Sequence, residues 1–112
     1  MGRKISVANI VTAPAGTEGD VVLYTVEAAK RFRLERVWIN WTEGGGFNLQ
    51  LTIMVGIKQV APEVGFYSGD GGHTEDFIDY EAGSGDRIIA HYKNTGTTDQ
   101  KALVIVSGEL LD

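Results

Sequence analysis

The chain has 112 residues, among them 15 glycines and no cysteine, and a formal net charge of −5. This length provides for one domain with its own hydrophobic core, so residues 1–112 are expected to form a single domain. The lack of cysteine excludes disulfide scaffolds, zinc–thiolate sites and thiol nucleophiles, and no apolar run approaches the roughly 18 residues of a membrane helix.

Apolar residues recur with a period of two along most of the chain, which is typical of strands with one face in a core. Clusters of Gly, Asp, Asn and Thr separate these segments as turns. In chain order, strands are expected over residues 4–12, 21–27, 31–42, 47–55, 74–80, 87–93 and 101–110, with a short additional strand over 57–60. This spacing predicts an all-β fold, an antiparallel β-sandwich of seven or eight strands with jelly-roll topology.

The segment 31–42 leads to two more specific expectations. Its alternation slips by one residue near Glu35 and Arg36, which predicts a β-bulge at this point. A short, glycine-rich connection, 43–46, leads from it to the strand 47–55. Such a link is typical of a β-hairpin, so the two strands are expected to pair.

Three expected strands contain segments that are apolar on both faces, namely 21–24, 37–39 and 103–106. Strands of this kind are normally covered on both sides, and the chain has no helices to spare for this purpose. Singly exposed valines are common, but an outward Trp38 favours a second subunit over the outer face, and therefore a homo-oligomer. The interface residues expected from this pattern and from the apolar tail are Val22, Tyr24, Trp38, Val104, Val106, Leu110 and Leu111.

The residue inventory argues against an enzyme. The only histidines are His73 and His91, and neither has a second metal-ligating histidine close by in the sequence. The G-x-S-x-G motif is absent, and the glycine-rich segment 69–72 lacks the strand–loop–helix context of a phosphate-binding loop. No catalytic residue, metal ligand or cofactor is therefore expected.

The longest irregular stretch, residues 61–73, is the expected ligand or partner loop. Its candidate residues are Phe66, Tyr67, Asp70 and His73. The two aromatic rings could stack on a sugar, or could plug the loop into the core. Acidic residues between 70 and 86 could hold a calcium ion or form a solvated edge. The alternative function is therefore a carbohydrate-binding β-sandwich module, with or without calcium bound in the region 65–81.

The charge is divided unevenly between the two halves of the chain. Residues 1–58 have 7 basic and 5 acidic side chains, and residues 59–112 have 3 basic and 10 acidic ones. An acidic second half argues against nucleic-acid binding, which requires a basic face, and no membrane partner is expected either. The cluster formed by Lys30, Arg31, Arg33 and Arg36 is either a solvated face or a partner for the acidic half of another copy.

Several turns and strand ends resemble those of small single jelly-roll structural proteins of viruses and phages. The matching segments are 28–37, 85–90 with a Gly-Asp turn, 94–96 with an Asn-x-Gly turn, and 106–109 at the end of the last strand. The resemblance covers most of residues 20–110 as spaced turns and apolar runs, and it transfers no functional residue. It implies a non-enzymatic capsid, decoration or spike subunit in the virion, in contact with copies of itself or with a major capsid protein.

Overall fold

A computed structural model describes residues 2–112, and Met1, with which the expected domain begins, lies outside the described residues. The described part contains nine strands. They are β1 (Arg3–Ala13), β2 (Glu18–Thr25), β3 (Arg31–Trp41), β4 (Leu49–Val55), β5 (Lys58–Ala61), β6 (Tyr67–Ser68), β7 (His73–Ala82), β8 (Arg87–Asn94) and β9 (Gln100–Leu111). Eight of the nine lie where the alternation predicts them, and only the two-residue β6 was not expected. Residues 2–112 include no helix that is long and apolar enough to cross a membrane.

The strands form two antiparallel sheets that pack face to face. The first sheet has four strands in the order β1-β9-β3-β7, and the second has the order β2-β8-β4-β5, with β6 also beside β4. β5 and β6 pair with successive parts of β4 and act as one interrupted strand. Apart from β4, β5 and β6, which follow one another in the second sheet, consecutive strands alternate between the sheets. This is the arrangement of a jelly roll, so the fold predicted from the sequence is confirmed.

The hairpin expected around the connection 43–46 is wrong. β3 belongs to the first sheet and β4 to the second, so this connection crosses from one sheet to the other. Gly44 and Gly46 adopt φ angles of 89° and 64°, which favour glycine and turn the chain sharply. At the end of β3 the Trp41 amide donates to the Gly72 carbonyl at 3.0 Å. A short glycine-rich link therefore fits a tight crossover as well as a hairpin, and alternation alone does not separate the two.

The bulge predicted in β3 is confirmed. The pairing of β3 with both of its neighbours shifts between Leu34 and Arg36. Phe32 and Leu34 before the shift are fully buried, as are Val37 and Ile39 after it. The extra residue therefore keeps the apolar side chains of both halves on the core side.

The core lies between the two sheets and draws on both. Its largest fully buried side chains include Phe32 and Ile39 of β3 and Leu51 and Ile53 of β4. Burial of one such side chain stabilises the fold by roughly 1.5–3 kcal/mol. The strand residues that point away from this core form two outer faces.

Candidate functional site

An apolar strip crosses the outer face of the first sheet. Its members, which we call the outer apolar strip, are Ala8 and Ile10 of β1, Leu103 and Ile105 of β9, Trp38 of β3 and Phe77 of β7. The pairing places Ile10 beside Leu103, and Ile105 between Ala8 and Trp38. Ile10 is 64% exposed and Phe77 is 77% exposed, so the strip is open to solvent at both edges of the sheet. Exposed apolar side chains gathered on one face of a sheet are typical of a contact site.

Trp38 lies in the middle of the outer apolar strip. It is paired with Ile105 on one side and with Glu75 on the other. Its ring stacks on the imidazole of His73, with 5.3 Å between the ring centroids and 23° between the planes. Because His73 covers part of the indole, a molecule that docks here would contact both rings.

Ion pairs flank the outer apolar strip, and one of them, Arg36–Glu75, crosses it between Trp38 and Phe77. They are Lys4–Glu35 at 2.7 Å, Lys30–Asp112 at 3.0 Å, Arg31–Glu81 at 3.3 Å, Arg33–Glu109 at 3.4 Å and Arg36–Glu75 at 3.0 Å. Every residue of the basic cluster within residues 30–36 therefore forms an ion pair within its own chain. None of them is left without an acidic partner that another copy would have to supply. Exposed pairs of this kind contribute about 0–1 kcal/mol each, so their main effect is to give the strip a polar border.

Three of the expected interface residues lie in the core instead. Val104, Val106 and Leu110 are at most 4% exposed. β9 alternates along its whole length with its even-numbered residues inward, so Leu103 and Ile105 occupy the outer positions. The expectation for these three residues is corrected from interface to core. The error has a physical cause: where a strand is apolar on both sides, its alternation does not tell which face is inside.

Tyr24 also points inward, contrary to its expected outer position. A bulge between Val22 and Tyr24 shifts the pairing of β2 with β8, and the Tyr24 ring packs on Phe32 with 5.2 Å between centroids. The Tyr24 hydroxyl is buried without a hydrogen-bond partner among the described residues, and burial raises its pKa. Val22 does face outward and is 45% exposed, but it lies on the second sheet. Leu111 is half-buried near the end of β9.

The four candidates of the loop 61–73 do not form one site. Phe66 is 48% exposed, whereas Tyr67 is buried and its hydroxyl donates to Asp76 at 2.7 Å. Burial, together with this hydrogen bond, raises the pKa of Tyr67. Asp70 accepts a hydrogen bond at 2.7 Å from a backbone amide of the β3–β4 connection. Tyr67 and Asp70 therefore hold the fold together, and His73 belongs to the surface around the outer apolar strip.

The acidic side chains of the region 65–81 do not converge either. Asp76 accepts the tyrosine hydroxyl, Asp79 is exposed on the outer face, and Glu81 pairs with Arg31. No group of three or more His, Asp or Glu side chains within residues 2–112 is arranged to hold a metal ion. The acidic side chains of this region therefore do not gather into one cluster in the part of the chain described.

A cluster that sequence reasoning missed lies on the outer face of the second sheet. His91 Nδ1 is 2.6 Å from Asp20 Oδ1, and His91 Nε2 is 2.7 Å from Glu18 Oε2. Both nitrogens donate only when the imidazole is protonated. The hydrogen bond to Asp20, with a further one to Glu18, raises the pKa of His91 against the opposing effect of burial. Glu18 and Asp20 share a face by period two, but only the pairing of β2 with β8 brings His91 between them.

No protein-family model matches the chain, and no curated protein matches it. Solved structures do. A chain of the acid-stable capsid of Helicobacter pylori bacteriophage KHP30 matches with a TM-score of 0.58 and 16% identity, over 100% of this chain and 99% of that one. A chain of the Sulfolobus Turreted Icosahedral Virus matches with a TM-score of 0.61 and 10% identity, over 97% of this chain and 30% of that one.

A third match, from the capsid asymmetric unit of cyanophage Pam1, has a TM-score of 0.53 and 12% identity over 96% of this chain and 85% of that one. At such identities the likeness concerns the fold alone. The resemblance to jelly-roll structural proteins of viruses, predicted from turns and apolar runs, is confirmed at that level.

Proposed function

We propose that this chain is a non-enzymatic structural subunit of a virus particle and that it assembles through contacts between copies of itself. The main support is the jelly-roll fold over the full chain, matched along 99% of a chain from the KHP30 capsid. The capsid role is that protein's own. We extend it to this chain on the basis of the shared fold and of the surface described above. A major capsid protein is a second partner compatible with a decoration or spike subunit.

The surface that supports assembly is the outer apolar strip. An apolar centre with a polar, charged border is the usual composition of a protein–protein interface. Trp38 lies in the centre, and tryptophan is among the residues that contribute most to binding energy when a partner covers them. The bordering ion pairs are already satisfied within the chain, so a partner would not leave those charges buried and unpaired.

The histidines support a structural rather than a catalytic role. The His73 ring is stacked on Trp38, and both nitrogens of His91 are bonded to carboxylates. Thr52 is the cross-strand neighbour of His91, but the His91 nitrogens are bonded to Asp20 and Glu18 and not to its hydroxyl, as nucleophilic catalysis would require.

Sedimentation velocity over a wide range of protein concentration tests the proposal. We expect a species larger than the monomer whose share grows with concentration, with closed particles or rings visible by negative-stain electron microscopy. A single monomeric species at every concentration, with or without calcium or oligosaccharides, would overturn assembly from copies of this chain.

A further inference from the structure

The two edge strands of the first sheet are long and open. β1 has 11 residues and pairs only with β9, and β7 has 10 residues and pairs only with β3. Beside β7, a groove of about 590 Å³ separates it from β5 of the second sheet, so that sheet does not close over it. An open edge strand presents unpaired backbone groups and is a ready template for another strand.

The polarity of these edges suits a second copy in the same orientation. Neighbouring strands of the first sheet are all antiparallel, and the sheet has four of them. With an even number of alternating strands, β1 and β7 run in opposite directions. If a second copy continues the sheet, its β1 therefore meets β7 of the first copy as an antiparallel pair, which forms regular hydrogen bonds.

The charges of the two edges are complementary. β1 contains Arg3 and Lys4 and no acidic residue, whereas β7 contains four acidic residues and neither Lys nor Arg. Two β7 edges would bring carboxylates together, and two β1 edges would bring cations together. Opposite charge therefore favours β1 against β7 and disfavours each strand against itself, which is a common basis of specificity.

The rows of side chains across the sheet define a register for this contact. Three rows on the outer face run from β1 to β7 on one side of the β3 bulge: Ser6–Ser107–Arg36–Phe77, Ala8–Ile105–Trp38–Glu75 and Ile10–Leu103–Asn40–His73. A fourth row, Lys4–Glu109–Arg33–Glu81, lies on the other side of the bulge. When the first three rows continue into a second copy, they require the same antiparallel register between β7 and β1. The fourth row is displaced by the bulge and ends at Glu81, so we take the register from the three rows that agree. Phe77 then faces Ser6 of the second copy, and His73 faces its Ile10.

The same register brings Lys4, which is paired with Glu35 in its own chain, opposite a carboxylate of the neighbouring copy. Asp79 lies two residues after Phe77 on the same face of β7, and Lys4 lies two residues before Ser6 on the same face of β1. These two therefore stand opposite each other across the junction. Asp79 is exposed and has no ion-pair partner among the described residues of its own chain. The junction also brings the second copy beside Phe77 and Ile10, the two most exposed large side chains of the outer apolar strip.

We infer that β1 of one copy adds to β7 of the next, antiparallel, with Lys4 opposite Asp79, so that the first sheet continues from copy to copy. This inference rests on the proposed function and names its partner, a second copy bound head to tail. A head-to-tail contact closes into a ring or extends as a filament, according to the rotation between copies.

Disulfide trapping tests the register, because the chain has no cysteine of its own. In the double variant Ser6→Cys, Phe77→Cys the two thiols of one chain lie three strand spacings apart, roughly 14 Å, which is too far for a disulfide. Between copies they are direct neighbours. We expect mild oxidation to give a ladder of dimers, trimers and larger species on a non-reducing gel.

The matched control is Thr12→Cys, Phe77→Cys, which keeps the outer face and both strands but displaces the β1 thiol by six residues. The control and each single variant should cross-link far less. A ladder no stronger than the control would overturn the head-to-tail register, and efficient dimers of a single variant would show pairing of like edges instead. If the cross-linking fails but the wild-type chain still assembles in sedimentation, only the head-to-tail register is contradicted. If the wild-type chain stays monomeric, the register and the proposed function are both contradicted.

A charge exchange gives a second test that needs no oxidation. Asp79→Lys places a cation opposite Lys4 and should weaken self-association by about five-fold, in line with the strength of exposed ion pairs. Adding Lys4→Glu should restore most of the loss. A double variant that associates as weakly as the sum of the two single changes would contradict the pairing.

Discussion

Trp38 of β3 stands directly beside Ile105 of β9 on the outer face of the first sheet, in the same row as Ala8 of β1. None of these three side chains contributes to the core between the sheets. The row places apolar surface on the side of the sandwich where only solvent or another molecule can meet it. Our proposal that copies assemble through this sheet rests on that relationship more directly than on any other feature of the chain.

The Glu18–His91–Asp20 cluster predicts a pH-dependent stability. The folded pKa of His91 is raised above the ordinary value of 6.5. Its stabilising effect is therefore fully present below about pH 6 and is lost as the pH rises through the raised folded value. In thermal unfolding, we expect His91→Gln to lower the free energy of unfolding by about 1 kcal/mol at acidic pH, where it removes two exposed ion pairs, and by little at alkaline pH. A difference between variant and wild type that does not change with pH would contradict the protonated cluster.

We predict a large loss of stability when the side chain of Asn94 is truncated. It is 2% exposed; its Nδ2 donates to the carbonyls of Ala13 and Thr98 at 2.9 Å, and its Oδ1 accepts from the Gly96 amide at 2.9 Å. Asn94→Ala leaves these backbone groups without a partner and should cost about 1–3 kcal/mol in chemical denaturation. The control is Asn40→Ala, at an exposed outer position. Equal stability of the two variants would show that the bonds of Asn94 contribute nothing.

We predict that the position of Gly108 in β9 tolerates no side chain. A Cβ there would meet the Arg33 carbonyl oxygen and would lie 2.8 Å from the Phe32 ring. Because backbone cannot move aside as a flexible side chain does, Gly108→Ala should cost about 1–3 kcal/mol of unfolding free energy. Gly83→Ala is the control, since its nearest neighbour, Asp86 Oδ2, would be 3.6 Å away. Similar urea midpoints for both variants would contradict the close approach of β9 to β3.

Local pattern was enough to predict the strands and the bulge of β3, because each depends on residues that are adjacent in the chain. Turn spacing was enough for the jelly roll. The pairing of strands was not predictable in the same way: the glycine-rich connection 43–46 is compatible with either a hairpin or a crossover, and the structure has the crossover.

The faces of the apolar strands could not be assigned from alternation either. Val104 and Val106 exchange places with Leu103 and Ile105 without any change in the apolar pattern, so the inner pair was mistaken for the outer one. Tyr24 was misplaced because the bulge in β2 leaves no break in its apolar run. Trp38 was placed outward correctly, since the residues on both sides of it are buried.

The most direct test of assembly through the first sheet is multi-angle light scattering of Trp38→Glu beside Ile57→Glu. Ile57 is 99% exposed in the turn between β4 and β5, so its variant adds the same charge away from the sheet. Where a second copy covers the outer face, Trp38→Glu would bury an unpaired charge next to Glu75, whereas the β1–β7 edge contact leaves this position uncovered. We predict that it loses the contact through this face and has a lower oligomer mass than Ile57→Glu, which assembles like the wild type, with circular dichroism confirming that both are folded. A folded Trp38→Glu variant with the wild-type oligomer mass would contradict assembly through this face.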